Sequence, residues 1–157
     1  MATQISLVAL DPYHPVIGLL VPGITQRILD MAASRQEERD PHRYTCNLMS
    51  RLWAQDPNVG IIAFVDGKGH CVGHAVATIE SDGTNHWIFV QQVKADEDVG
   101  DAVPRAIDMA DEWAHRVSES LVAKGFRPIT KMLMATHRTD AAWTRKYKFE
   151  TARHVMM

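Results

Sequence analysis

The strongest signal of the fold is the segment VQQVKADEDVGDAVPRAIDMADEWA, at residues 90–114. Its first residues predict a strand, and apolar residues then recur at the spacing of an amphipathic helix. A short loop that holds Gly100 and four carboxylates separates the two elements. Two strands connected by a helix of roughly twenty residues usually form a parallel pair through a right-handed crossover. We therefore expect the strand at residues 87–93 to lie parallel to the apolar run at residues 129–136.

The chain before this stretch predicts an antiparallel meander of three strands. Apolar runs at residues 61–65, 71–79 and 87–93 are separated by glycine-containing turns at residues 66–69 and 81–85. A meander next to a parallel crossover makes a mixed sheet, and ligand pockets often form where the pairing changes character.

The N-terminal third predicts a strand and two helices. The strand is expected at residues 5–10, and the first helical region is expected to be interrupted at Pro22-Gly23. Asp40 is a carboxylate cap for the second helix, and Pro41 occupies its first turn, where no amide hydrogen is needed.

The last part of the chain predicts a short helix at residues 139–147 and a final strand at residues 149–157. The element order is then β-α-α-β-β-β-α-β-α-β. No repeat, linker or low-complexity segment divides the sequence, so we expect one domain over residues 1–157 with an α/β (α+β) fold.

Composition excludes several classes of protein. The net charge of −2 argues against a general nucleic-acid binder, which would have a basic excess. The N-terminus lacks the pattern of a signal peptide, and no apolar run is long enough for a membrane span. Cys46 and Cys71 make no disulfide framework, and no Cys or His pair has zinc-finger spacing, so no metal is expected. These features predict a cytoplasmic or virion location, with neither a nucleic acid nor a membrane as partner.

Two segments carry a resemblance to a known family. With the element order above, VQQVKADEDVGDAV at residues 90–103 and ATHRTDAAWTRKYKFETARHVMM at residues 135–157 resemble the GNAT (N-acetyltransferase) superfamily. The resemblance covers nearly the whole chain. It implies a GNAT-like single domain whose parallel pair splays at the seam between the fourth and fifth strands.

The resemblance also implies a place for a cofactor. In that family the loop after the central strand holds the pyrophosphate of acetyl-CoA on backbone amides at a helix N-terminus. Gly100 and Ala102 match the glycine positions of its Arg/Gln-x-x-Gly-x-Gly/Ala pattern, whereas Glu97 stands at the Arg/Gln position. The cofactor-binding residues implied in this way are Val93, Val99, Gly100, Ala102 and Arg105.

The acidic loop argues against that use. Asp96, Glu97, Asp98 and Asp101 surround the place of the pyrophosphate, and like charges about 4 Å apart repel by roughly 1 kcal/mol in water and about 4 kcal/mol at an effective dielectric of 20. A helix N-terminus offers on the order of 1 kcal/mol in return. Asp101 is also expected to cap the helix and occupy its amides. The sequence therefore predicts no cofactor, with acetyl-CoA as the alternative.

Candidate catalytic residues also depart from the family. A tyrosine often protonates the leaving thiolate five residues before the Phe that opens the last strand, where this chain has Thr144; Lys148 replaces the glycine before Phe149. The remaining candidates are Tyr147 as an acid and Glu80 or His74 as a base. A packing or surface tyrosine, and a hydrogen-bonded structural histidine, are the more frequent interpretations of Tyr147 and His74.

Two functional hypotheses follow from the sequence. The first is a non-catalytic structural or protein-interaction module with a degenerate acetyl-CoA loop, which binds a protein partner or forms a homo-oligomer. Small GNAT-like proteins in the structural gene modules of tailed bacteriophages make a divergent, phage-encoded, virion-associated component one form of it. The second is an acyl-CoA-dependent N-acetyltransferase that acts on an amine of a small molecule or a protein.

Overall fold

The computed structural model of the chain describes residues 4–13, 17–35, 40–96 and 99–134, without the side chains of Leu19 and residues 31–35. The expected C-terminal helix and final strand lie outside the described residues.

The described residues form one five-stranded mixed sheet in the order β1-β2-β3-β4-β5. The first three pairings are antiparallel and the β4–β5 pairing is parallel, with Ile88 opposite Met132. This confirms the meander and the parallel crossover. The elements are β1 (Ser6–Ala9), α1 (Ile17–Arg35), α2 (Pro41–Trp53), β2 (Val59–Val65), β3 (Cys71–Ser81), β4 (His86–Ala95), α3 (Ala102–Ala123) and β5 (Ile129–Met134).

Helices cover both faces of the sheet. On one face, buried residues of α1 and α2 such as Ile24 and Leu48 pack against Ile61 of β2. On the other face, Ala106 of α3 packs in the cluster that contains Phe64. Because side chains alternate along a strand, the apolar run of β2 supplies both cores at once.

Helix α1 does not break at Pro22-Gly23, so that prediction was wrong. The helix runs continuously from Ile17 to Arg35 with Pro22 inside it. Pro22 removes one backbone hydrogen bond, but Leu20 and Ile24 on either side are buried in the core and hold the helix together. A Cβ on Gly23 would come within 2.9 Å of the Cys71 Cβ, so the glycine lets α1 lie close to β3.

Helix α2 begins where the sequence predicts. The Asp40 carboxylate accepts hydrogen bonds from the backbone N–H of His42 at 3.0 Å and of Arg43 at 3.2 Å. Pro41 is at the first helical position. The cap fixes the start of α2 and hence the height at which Tyr44, one turn later, lies above the sheet.

Candidate functional site

A bulge in β4 is the irregularity around which polar side chains gather. Val76 pairs with Gln92 while its neighbour Ala77 pairs with Val90, so Gln91 is an extra residue in β4. The extra residue of a bulge is unpaired in the ladder, and the bulge changes the direction of the side chains around it. Gln91 and Gln92 both make side-chain hydrogen bonds with residues on the α1/α2 side of the sheet.

Four polar side chains form a hydrogen-bonded chain across three elements. The Tyr44 hydroxyl of α2 donates to Gln91 Oε1 at 2.7 Å. Gln91 Nε2 donates to Thr78 Oγ1 at 3.2 Å, and Thr78 Oγ1 donates to Glu80 Oε1 at 3.2 Å. Tyr44 and Gln91 are half-buried, Thr78 is buried and Glu80 is exposed, so the chain leads from the interior to the surface.

His74 lies beside this chain but is sealed from solvent. It is fully buried, and its Nε2 lies 3.1 Å from Gln92 Oε1. Because a carboxamide oxygen only accepts, His74 carries its proton on Nε2. Burial lowers the pKa of His74 to about 4, and the nearby Arg27 and Lys94 charges act in the same direction. A neutral, enclosed imidazole has no route for a proton from an acceptor substrate.

The loop between β4 and α3 places the predicted cofactor residues together. Val99 and Ala102 are buried beneath the helix start, and Gly100 is exposed with a φ of +57°, the left-handed region that favours glycine. Val93 lies further back in β4 and packs against the α3 core. Arg105 follows in the first turn of α3, where its guanidinium donates to the backbone oxygen of Ile5.

Asp101 does not cap α3, so that prediction was wrong. Its carboxylate makes no capping hydrogen bond, since its backbone (φ −91°, ψ 15°) is not in the extended conformation of a capping residue, and it lies 3.5 Å from the Nε of Arg105. The first turn of α3 holds no acidic residue. The amides at the start of α3 are therefore not occupied by this side chain.

The second described carboxylate of the loop is also paired. Asp96 Oδ2 lies 2.9 Å from an Nη of Arg27, which reaches across from α1. Lys94 adds another positive charge two residues earlier. With Asp96 beside Arg27 and Asp101 beside Arg105, the described part of the loop is balanced in charge. Glu97 and Asp98 lie outside the described residues.

An apolar cavity of about 210 Å³ lies on the opposite face of the sheet, under α3. Small residues leave this space open; among those that line it are Gly60, Ala75, Ala77, Ala106 and Ala110. No member of the Tyr44–Gln91–Thr78–Glu80 chain lines the cavity, so the two features are separate.

The structure brings some of the predicted residues together and separates others. Val99, Gly100, Ala102 and Arg105 meet at the start of α3, and Glu80 stands at the end of the polar chain. Tyr147, Thr144 and Lys148 lie outside the described residues.

Sequence reasoning missed Tyr44, Thr78 and Gln91 as members of the site. Two adjacent glutamines that follow an apolar run in a strand were the available signal, because polar side chains inside a central strand need hydrogen-bond partners. Tyr44 and Thr78 carried no comparable signal, since their partners are 47 and 13 residues away in the chain.

The described residues contain neither a metal-binding cluster nor a helix that could span a membrane. Among residues 4–13, 17–35, 40–96 and 99–134, no group of three or more His, Cys, Asp or Glu side chains is arranged to hold a metal ion. No helix in these same ranges is long and apolar enough to cross a membrane.

Comparison with solved structures gives similarity in fold at low sequence identity. A probable acetyltransferase has a TM-score of 0.65 at 11% identity, with 94% of this chain and 91% of that one covered. A predicted acetyltransferase with acetyl-CoA from Clostridium acetobutylicum has 0.63 at 12%, covering 98% and 95%. Glucosamine-6-phosphate N-acetyltransferase from Arabidopsis thaliana has 0.64 at 7%, covering 98% and 97%. No protein-family model matches the sequence, and no curated protein is significantly similar to it.

These findings correct the prediction that no cofactor is used. The neighbours are acetyltransferases, and one of them was solved with acetyl-CoA. Asp96 and Asp101, which were expected to repel the phosphates, each lie beside an arginine. With its mixed five-stranded sheet, its parallel β4–β5 pair and these neighbours, the chain has the GNAT fold.

Proposed function

We propose that this chain is an acyl-CoA-dependent N-acyltransferase that acts on an amine of a small molecule or a protein. The observation that carries the proposal is the bulge at Gln91, which lies between an exposed carboxylate, Glu80, and the β4–α3 loop. An acyl-CoA bound at the β4–α3 loop and an amine bound near Glu80 would meet at this bulge.

The β4–α3 loop supports binding of the cofactor's phosphates. Backbone N–H groups at a helix N-terminus together with the helix dipole attract anions. Gly100 allows the turn, Asp101 leaves the amides uncapped, and Arg105 adds a positive charge in the first turn. Because Arg27 lies beside Asp96 and Arg105 beside Asp101, the described residues of the loop add no net negative charge to oppose the helix N-terminus.

We assign Glu80 the role of the base that accepts a proton from the acceptor amine. In the proposed reaction an ammonium group loses a proton to the Glu80 carboxylate, directly or through a water molecule. The amine nitrogen then attacks the thioester carbonyl carbon, a C–N bond forms and the C–S bond breaks. The thiolate of CoA leaves and takes up the second proton released by the nitrogen. The unpaired backbone of Gln91 is the kind of group that can stabilise the oxyanion formed on the way.

Isothermal titration with acetyl-CoA tests the proposal. We expect a dissociation constant in the low micromolar range. Asp101→Asn should tighten binding by roughly 3- to 10-fold, because a carboxylate about 4 Å from a phosphate charge costs on the order of 1 kcal/mol. Arg105→Gln should weaken binding by a similar factor for the opposite reason.

Asp111→Asn is the matched control. Asp111 also has a basic side chain four residues along α3, His115 at 3.5 Å, but it lies about 15 Å further along the helix, beyond the Debye length of about 8 Å. The Asp111→Asn variant should bind acetyl-CoA with the same affinity as the parent protein. Failure of the parent chain to bind acetyl-CoA at millimolar concentration would refute the enzyme proposal and support the non-catalytic structural or virion-associated module instead.

A further inference from the structure

We propose that Tyr44, Gln91 and Thr78 are positioning residues that hold the Glu80 carboxylate beside the bulge, so that the acceptor amine is deprotonated at one fixed place. The proposal rests on the proposed N-acyltransferase function and extends it to residues that do not themselves react. It concerns the α1/α2 side of the sheet only.

The Glu80 carboxylate sets the donor-to-acceptor direction of all three hydrogen bonds. An ionised carboxylate only accepts hydrogen bonds, so the Thr78 hydroxyl must donate to Glu80 and accept from its other neighbour. The amino group of Gln91 must then face Thr78, which turns its oxygen towards Tyr44. Each of these three hydrogen bonds therefore has a defined donor and acceptor, and the carboxamide of Gln91 has a single orientation.

The hydrogen-bonded side chains connect the bulge in β4 to two other rigid elements, α2 and β3. Tyr44 belongs to α2, Thr78 and Glu80 belong to β3, and Gln91 is the extra residue of β4. A free glutamate side chain on the surface would lose up to about 2 kcal/mol of conformational entropy when it is held in one place. Thr78 restricts it before any substrate binds, and Tyr44 and Thr78 together fix the side chain of the bulged residue.

The position of the carboxylate suits an incoming amine. Two hydrogen bonds of 3.2 Å each separate Gln91 Nε2 from Glu80 Oε1, so the base lies within one small molecule of the bulge. Within the described part of the chain, Glu80 Oε2 makes no hydrogen bond, and the side chain is exposed. That oxygen remains for the ammonium group of a primary amine.

A pair of substitutions at Thr78 separates positioning from packing. With acetyl-CoA and a panel of primary amines (an aminosugar, a polyamine and lysine), the rate is followed by the thiol released. Thr78→Val should lower kcat by roughly 10- to 100-fold, the range for losing a hydrogen bond to a charged group, with the KM for acetyl-CoA unchanged. Thr78→Ser keeps the hydroxyl and should restore kcat to within about 3-fold of the parent value.

Thr45→Val is the matched control. Thr45 is also a buried threonine, and its hydroxyl donates to the Pro41 carbonyl at 2.7 Å. This hydrogen bond is not one of those that connect Tyr44 to Glu80. Thr45→Val loses a threonine hydroxyl, as Thr78→Val does, and should keep the kcat of the parent protein. Equal loss of kcat in Thr45→Val and Thr78→Val, or no loss in Thr78→Val, would overturn the positioning role while leaving the N-acyltransferase proposal intact.

The hydrogen bonds from Tyr44 to Glu80 can also be detected by NMR, without measuring enzymatic turnover. In ¹⁵N–¹H spectra the Gln91 side-chain NH₂ signals should move in Tyr44→Phe and Thr78→Val and stay close to their parent positions in Thr78→Ser. Unmoved signals in both variants would show that the hydrogen bonds between Tyr44, Gln91 and Thr78 do not form in solution. Moved signals with no acetyl-CoA binding would instead refute the N-acyltransferase function, and the role of Glu80 with it.

Discussion

The buried side chain of His74 makes the stability of the fold sensitive to acid. The imidazole is enclosed by β3, β4 and α1, with Gln92 as its hydrogen-bond partner and the Arg27 charge nearby. Within the described residues its Nδ1 has no partner. Desolvation therefore disfavours the protonated form, which the unfolded chain adopts freely near pH 6.

We predict that the free energy of unfolding falls as the pH is lowered from about 6.5 to about 4. The pKa of His74 is about 4 in the folded chain against 6.5 without the fold, so between these values the unfolded state binds more protons. Integrated over that window the loss is about 3 kcal/mol. Urea unfolding at pH 7, 5.5 and 4.5 measures it.

His74→Asn identifies the source of this slope. The side-chain amide of asparagine does not titrate in this range, so the dependence between pH 4 and 6.5 should flatten. Asp56, whose pKa is lowered by the Asn58 amide and by Arg51, stabilises the fold above about pH 4, and its contribution is lost only below that window. An unchanged slope in His74→Asn would contradict the assignment.

Among secondary structure elements, α1 is the one whose sequence signal and structure disagree. Pro22 is the sixth residue of the helix, so the missing N–H would have donated to the Gly18 carbonyl. Its side chain is exposed, whereas Leu20, Ile24 and Ile28 are buried against the sheet. Burial of the apolar stripe offsets the lost hydrogen bond, which is why the helix continues.

Pro22→Ala should raise the free energy of unfolding by about 1–3 kcal/mol, because alanine restores the hydrogen bond and removes the clash of the ring with the preceding turn. Thermal or urea unfolding measures the change. Pro41→Ala is the control, since Pro41 is at the first position of α2 and has no bond to restore. It should change stability by no more than about 0.5 kcal/mol. A drop in stability for Pro22→Ala would show that α1 needs the proline.

For the molecule taken whole, packing between α3 and the sheet is incomplete. Ala106 and Ala110 face the sheet across the apolar cavity of about 210 Å³, while Trp113 lies against Gly60 further along the helix. The apolar side chains that line the cavity lack packing partners on that side, so a larger apolar side chain should be accommodated with a gain in stability.

Ala110→Leu should raise the free energy of unfolding by about 1–2 kcal/mol, because each buried CH₂ group contributes about 0.8 kcal/mol and some strain is expected. Ala123→Leu, at the exposed C-terminal end of α3, adds the same atoms to the surface and should be close to neutral. Urea unfolding of the two variants gives the comparison. Destabilisation by Ala110→Leu alone would mean that the cavity cannot be filled from the helix.

The sequence was sufficient for the element order, the meander, the Asp40 cap and the parallel β4–β5 pair over the described residues. These features depend on period, turn chemistry and the handedness of a crossover, and all three act over short stretches of chain or follow from chain connectivity. The place of the candidate site at the β4–α3 loop followed from the same local order, since a loop and a helix start are adjacent in the chain.

The charge state of that loop and the polar chain at the bulge depended on long-range contacts. Asp96 is neutralised by Arg27, 69 residues earlier, and Gln91 is held by Tyr44, 47 residues earlier. A carboxylate near a phosphate site repels or is harmless according to which cation folds against it, and a list of charges in sequence order does not contain that distance. For the same reason Pro22 was expected to break α1, because the burial that outweighs its lost hydrogen bond exists only once the helix lies on the sheet.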